Sequence, residues 1–275
     1  MNAKALSSLE DVSIFVDYPD FVDTVNGKRS PTGTVEQTNI LWIKAANLNS
    51  QISYLPSRRI TRRLSSAEPV CSILKIKTPA RAENYLFSLP TDIFLAPKLY
   101  QHKNADTIHK KYLNEYGEIR NLADMFNDPS FNSILTLLDG KSVGKDLDKQ
   151  IANINQRKLE YINANQQYIS YLQLLATRRA DFVLAFPSII QANSYLANNT
   201  RSYSVQNIET HVSGRVMCNK HPQTEALIAH INEHLVKIYD EQAFFDAATL
   251  ELNESEHALI RDIINNVIKK EAAAL

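Results

Sequence analysis

The run Lys77-Thr78-Pro79-Ala80-Arg81-Ala82-Glu83 carries the residues best suited to chemistry in this sequence. It follows an apolar, β-branched stretch, Val70 to Ile76, and so reads as a basic turn at the end of a strand. A threonine and an arginine three residues apart bring a hydroxyl, backbone N–H groups and a guanidinium to one mouth. Arginine offers a planar fork of donors and a helix start adds partial positive charge, so the chemistry is recognition of a carboxylate or another small anion. An ordinary role is also open to Arg81, pairing with Glu83 or with a helix end. Ser142, in the turn Asp139-Gly140-Lys141-Ser142-Val143-Gly144 that opens a helix, suits either an anion or a plain N-cap.

Other chemistry-bearing groups point elsewhere. His230-Ile231-Asn232-Glu233-His234 matches the His-x-x-Glu-His spacing of inverted zinc peptidases. The same helix places Leu227, Ile231, Leu235 and Ile238 on one face, however, which turns the histidines to solvent, and almost no chain remains to supply a third ligand. No metal site and no cofactor is expected. The pairs Arg58-Arg59 and Arg62-Arg63 read as a solvated helix face, since no aromatics interleave them. Thirty basic residues balance thirty acidic ones, which argues against a nucleic-acid partner. Cys71 and Cys218 sit inside apolar runs. They suit buried thiols in a cytosolic protein and a bridge in an exported one.

The elements that must position these groups alternate along the chain. Strands are expected at Val12–Val16, Gln51–Leu55, Val70–Ile76, Ile93–Leu95, Lys98–Gln101, Ser133–Leu138, Lys158–Ile162, Asp181–Phe186 and Gly214–Asn219. Helices are expected at Thr34–Leu48, Arg58–Leu64, Leu122–Phe126, Lys145–Ile154, Gln166–Thr177, Ser188–Leu196, Gln223–Tyr239 and Ser255–Lys270. Strands alternating with helices predict an α/β fold with mostly parallel sheets. At 275 residues, 44% hydrophobic and 22% charged, the chain can bury a sizeable core in one large domain or two lobes. No apolar segment approaches the length needed to span a bilayer. The Ala-Ala-Ala-Leu after Glu271 resembles vector-encoded residues before a purification tag, and Met1 is then expected to replace a removed leader. A natural cytosolic chain with an alanine-rich tail is the alternative.

This order resembles the type II fold of periplasmic solute-binding proteins of the polar amino-acid group (family 3), over nearly the whole chain. Four pieces carry the likeness: Lys77-Thr78-Pro79-Ala80-Arg81; Phe87-Ser88-Leu89-Pro90; Gly140-Lys141-Ser142; and Thr177-Arg178-Arg179-Ala180-Asp181, where the family has Gly-Arg-x-Asp. Gly214-Arg215-Val216-Met217 then resembles the returning strand of the first lobe. The resemblance implies two α/β lobes joined by a double-crossover hinge, lobe I from residues 1–94 and 210–275 and lobe II from residues 95–209. It also implies a ligand held in the cleft beyond the carboxyl ends of the strands, which here supply Tyr18, Thr78, Arg81, Ser142 and Phe186. Arg81 falls on the family's carboxylate-binding arginine, and Ser142 in its helix-start anion site. The family topology sets the Val70 strand beside the Gly214 strand, which makes Cys71 and Cys218 a disulfide candidate.

The departures matter as much. Leu74 and Ile76 stand where the family places small hydroxyl residues, and Phe186 where it places the Asp that holds an α-ammonium. An ammonium there would lose its charge-assisted hydrogen bonds. An anionic, aromatic or peptide-like ligand is easier to reconcile, as is no ligand at all. The implied function is that of a monomeric, non-enzymatic extracytoplasmic protein, periplasmic after loss of its leader. It would deliver a small molecule to the permease of an ABC transporter or to a membrane sensor. The alternative is a dehydratase-like enzyme on the same fold acting on a carboxylated small molecule. That would need a general acid or base, and the cleft residues collected above contain no carboxylate or histidine.

Overall fold

Runs of β-branched and aromatic residues form the strands of the computed structural model, which describes Leu9, residues 11–162 and residues 167–275, the last without the side chains of 167–170. The chain divides into two compact units, Met1–Ile93 with Ser213–Leu275 (unit 1) and Phe94–Val212 (unit 2). Unit 1 opens with β1 (Ser13–Val16), α1 (Pro19–Val25), α2 (Gly33–Ala45), β2 (Ile52–Tyr54), α3 (Ser57–Leu64), β3 (Val70–Ile76), the single turn α4 (Pro79–Ala82) and β4 (Tyr85–Phe87). Strand β5 (Asp92–Leu95) leads out of it. Unit 2 holds β6 (Lys98–His102), α5 (Leu122–Asn127), β7 (Leu135–Leu138), α6 (Lys145–Ala152), β8 (Leu159–Ile162), α7 (Gln167–Ala176), β9 (Phe182–Ala185), α8 (Pro187–Gln191), α9 (Ser194–Asn199) and β10 (Thr200–Tyr203). Strand β11 (His211–Asn219) leads back, followed by α10 (Pro222–Ile238), α11 (Gln242–Thr249), α12 (Glu254–Ile263) and, after a π-helical turn, α13 (Lys269–Ala273).

Each unit has its own sheet. In unit 1 the order is β2-β1-β3-β11-β4, with β5 also on β11. Strand β1 runs parallel to β2 and β3, whereas β11 is antiparallel to β3 and β4. In unit 2 the order is β10-β6-β9-β7-β8, parallel among β7, β8 and β9 and antiparallel where β6 meets β9 and β10. The sheets are therefore mixed and not mostly parallel. Strands linked by a helical crossover come out parallel, and β6 and β11, which arrive in their units without such a crossover, run the other way.

Both faces of the unit 2 sheet are covered. Along β9, Phe182 and Leu184 enter one apolar cluster with Leu99, Leu135 and Leu137, and Val183 and Ala185 enter another with Tyr100, Tyr171 and Leu175. That is why the strand reads as a continuous apolar run. In unit 1, α10 starts at Pro222 behind a reciprocal cap between His221 and Thr224, and buries Leu227, Ile231, Leu235 and Ile238.

Across β3 and β11, Cys71 faces Cys218 in register and the two are joined by a disulfide, with Cα atoms 4.0 Å apart. Just beyond, the register slips. Arg215 pairs with Lys75 but Met217 with Ser72, so Ile73 and Leu74 oppose the single residue Val216. Leu74 takes a left-handed backbone, φ +59°, a conformation that costs a side-chain-bearing residue about 1–2 kcal/mol. Such a bulge bends the strand and re-aims the residues that follow it.

Several elements depart from expectation. The expected helix Ser188–Leu196 breaks in two because the Asn193 side chain accepts from the Leu196 N–H (3.0 Å) and caps α9. Helices α1 and α11 and strands β4 and β10 lie in segments read as irregular. Gln166, the expected first residue of its helix, lies outside the described residues.

Candidate functional site

The carboxyl ends of β1 and β3 form the mouth of unit 1. The Thr78 hydroxyl caps α4 by accepting from the Arg81 N–H (3.4 Å), as a Thr-Pro-x-Arg start allows. Pro79 has no N–H, and the Ala82 amide donates to the Thr78 carbonyl, so little of a helix-start anion site is left in this one turn. The Arg81 guanidinium turns back and donates from Nη1 to the Ile76 carbonyl (2.9 Å). That bond holds the half-buried side chain against the end of β3.

Tyr18 stands at the start of α1, partly exposed. Burial is the main cause that raises its hydroxyl pKa, and Glu36 adds to it, while a hydrogen bond from Arg29 opposes both. Between Tyr18 and β1 lies a carboxylate that the sequence reading left out. Asp17 is buried and pairs with Lys75 at 3.5 Å, the two side chains being 3% and 11% exposed. The bulge at Leu74 is what brings Lys75 to this place. The spacing Asp17-Tyr18-Pro19 after an apolar strand was the available signal.

In unit 2, Ser142 and Phe186 come together around one cavity of about 240 Å³ at the carboxyl ends of β7 and β9 and the start of α6. All its lining residues belong to this unit, and most are apolar, among them Leu137, Val143, Ile151, Tyr171 and Leu184. Phe186 is buried at the start of α8 and packs on Phe94, ring centroids 5.0 Å apart. The helix start expected to receive an anion has an occupant from the chain itself. Asp148 reaches back from α6 to accept from the Val143 N–H (2.9 Å) and from the Ser142 hydroxyl, and Ser142 Oγ in turn accepts from the Gly144 N–H (3.2 Å). Gly144 is required by its φ of +106° and by Val212, which would meet a Cβ at 3.2 Å. Asp17 and Asp148 are carboxylates that the expected cleft residues did not include.

The histidine pair on α10 is not a solvent face. His230 is buried with Nε2 3.0 Å from the Ala46 carbonyl, an N–H donor to it, and the His234 ring lies 4.8 Å away. Among the described residues no group of three potential ligands could hold a metal ion. No helix among them is long and apolar enough to cross a membrane.

Elsewhere in unit 1, Asp92 is a fully enclosed carboxylate. Its Oδ1 accepts from Thr38 (2.6 Å) and Asn39 (2.7 Å) and its Oδ2 from Thr91 (2.7 Å). Burial raises its pKa above the ordinary 3.8, against the lowering by these three donors.

No protein-family model matches the sequence, and neither does any curated protein. Solved structures do match the fold. A solute receptor for L-cysteine of Neisseria gonorrhoeae has a TM-score of 0.60 at 15% identity, covering 92% of this chain and 94% of that one. An amino acid ABC transporter substrate-binding protein from Streptococcus pneumoniae, bound to L-arginine, has a TM-score of 0.59 at 14% identity, over 90% of this chain and 97% of that one. A mutant of ArgBP from T. maritima gives 0.59 at 14%, over 90% and 98%. At such identities the likeness is one of fold. The chain has the two-lobed α/β fold of the type II periplasmic binding proteins, and its structural neighbours are substrate-binding proteins of amino-acid ABC transporters.

Proposed function

We propose that this chain is an extracytoplasmic solute-binding protein, acting as a monomer without a cofactor, that captures a small solute and presents it to a membrane permease or sensor. The observation that carries the reading is the likeness of fold to transporter substrate-binding proteins over almost the full length of both chains. The Cys71–Cys218 bridge supports an oxidising compartment. Asp17 and Asp148, two carboxylates near the strand ends, are engaged by Lys75 and by Ser142 and Val143 respectively, which favours holding a solute over transforming one.

The ligand class follows from the groups on offer. In unit 1, Arg81 and Thr78 suit a carboxylate, with Tyr18 at the same edge. In unit 2, Ser142 and Phe186 border a cavity that suits an apolar or aromatic body. Two of the neighbours are a solute receptor for L-cysteine and a substrate-binding protein bound to L-arginine. In unit 1 the Leu74 and Ile76 side chains, and in unit 2 that of Phe186, offer an α-ammonium no acceptor, so the solute is read as a carboxylate with an apolar body and not a polar amino acid. Mass spectrometry of small molecules released when the purified protein is denatured tests this. A carboxylate with an aromatic or alkyl body is expected; a polar amino acid in stoichiometric amount would contradict it.

A further inference from the structure

The geometry at the start of α6 points to a specificity device: we infer that Asp148 occupies the anion-accepting helix start of unit 2, so that the adjoining cavity takes an aryl or branched alkyl group and not an anion. For its biological meaning this rests on the solute-binding reading above; physically it stands on unit 2 alone.

The donors come first. A helix start presents N–H groups and partial positive charge, and normally welcomes an anion. In this case the Val143 N–H and the Ser142 hydroxyl are both spent on Asp148, and the Gly144 N–H on Ser142 Oγ. Asp146, also in the first turn, adds a second negative charge and accepts from the Glu209 N–H (3.1 Å). A ligand anion arriving there would find these three donors taken and would face the carboxylates of Asp148 and Asp146. Lys141 lies at the same edge, but it too has an interaction of its own.

The cavity then decides what is accepted. Its walls include Leu137, Val143, Ile151, Leu184 and the rings of Tyr171 and Phe186, with Lys141, Ser142, Asp148 and Tyr161 also lining it. The Tyr171 hydroxyl lies 2.8 Å from the Leu184 carbonyl and donates inside the fold. An engineered apolar cavity of about 150 Å³ is enough to hold benzene, and this one measures about 240 Å³. A bicyclic aromatic or a branched alkyl group therefore fits, and an anion would be desolvated beside the Asp148 carboxylate.

Amide NMR shifts on the full chain test this with two probes, indole and inorganic phosphate. In the wild type, indole is expected to move the amides of Val143, Ile151 and Leu184 saturably, while phosphate leaves Val143 and Gly144 unmoved. In Asp148→Ala the freed donors should let phosphate shift Val143 and Gly144, with Kd lower than in the wild type by about tenfold or more. Phosphate moving those two amides in the wild type, or indole leaving the cavity unmoved, would overturn the inference even if the variant fails to fold. Because Arg81 takes no part, the inference survives a solute whose affinity ignores Arg81→Ala, a result that counts only against the carboxylate assignment in unit 1.

Discussion

Arg178 has a left-handed backbone, φ +58°, at the exposed end of α7. The Arg179 N–H reaches the Leu174 carbonyl (2.8 Å) and the Arg178 N–H the Leu175 carbonyl (3.1 Å), the paired bonds of a helix end that favours glycine. The resembling family carries glycine in this motif, so the sequence itself marked the residue as out of place. Arg178→Gly should stabilise the protein by about 1 kcal/mol, read as a higher urea midpoint with an unchanged slope. Asp92 makes a second prediction. An acid whose pKa is raised on folding contributes stability that is complete below its unfolded value, 3.8, and is lost as pH rises through the folded one. The stability of the wild type relative to Asp92→Asn should therefore fall as pH rises from about 4, measured by urea unfolding at a series of pH values. A relative stability that rises instead would contradict burial as the dominant cause. The burial of Asp92 was not legible in the sequence, because its three donors come from α2 and from Thr91, and only the fold assembles them.

At the scale of elements, β3 shows what local sequence can and cannot say. Val70–Ile76 is apolar and β-branched, and its limits were readable to the residue. The bulge at Leu74 was not, since it exists only through the register against β11. Strands β4, three residues long, and β10, with the sequence Thr-Arg-Ser-Tyr, have little strand signal of their own and form by pairing with β11 and β6. The start of α6 was readable as a turn with a hydroxyl, but Asp148 looked like any acidic residue of a first turn. The disulfide closes a loop with a sequence separation of 147 residues. Replacing both cysteines by serine should cost about 2–5 kcal/mol, measured by thermal or urea unfolding. Intact-mass measurement before and after reduction checks the bridge directly, with a gain of two hydrogens expected.

For the whole molecule, the alternation of strands and helices was enough to indicate an α/β fold, and the solved structures agree with it. The direction of individual strands was not legible, because β6 and β11 reach their sheets without a helical crossover. Of the groups proposed for the ligand, Thr78 and Arg81 announce themselves by spacing. The Asp17–Lys75 ion pair, which is not among those groups, does not, because one residue follows β1 and the other lies past the bulge within β3. The central claim, capture of a carboxylate solute through Arg81, is tested most directly by calorimetry with phenylacetate and phenylalanine on the wild type, Arg81→Ala and Phe186→Asp. Phenylacetate should bind the wild type, weaken by about 2–3 kcal/mol in Arg81→Ala with loss of the charge-assisted bonds, and outcompete phenylalanine, while Phe186→Asp begins to restore affinity for the amino acid. Tight binding of phenylalanine to the wild type, unchanged by Arg81→Ala, would contradict the account.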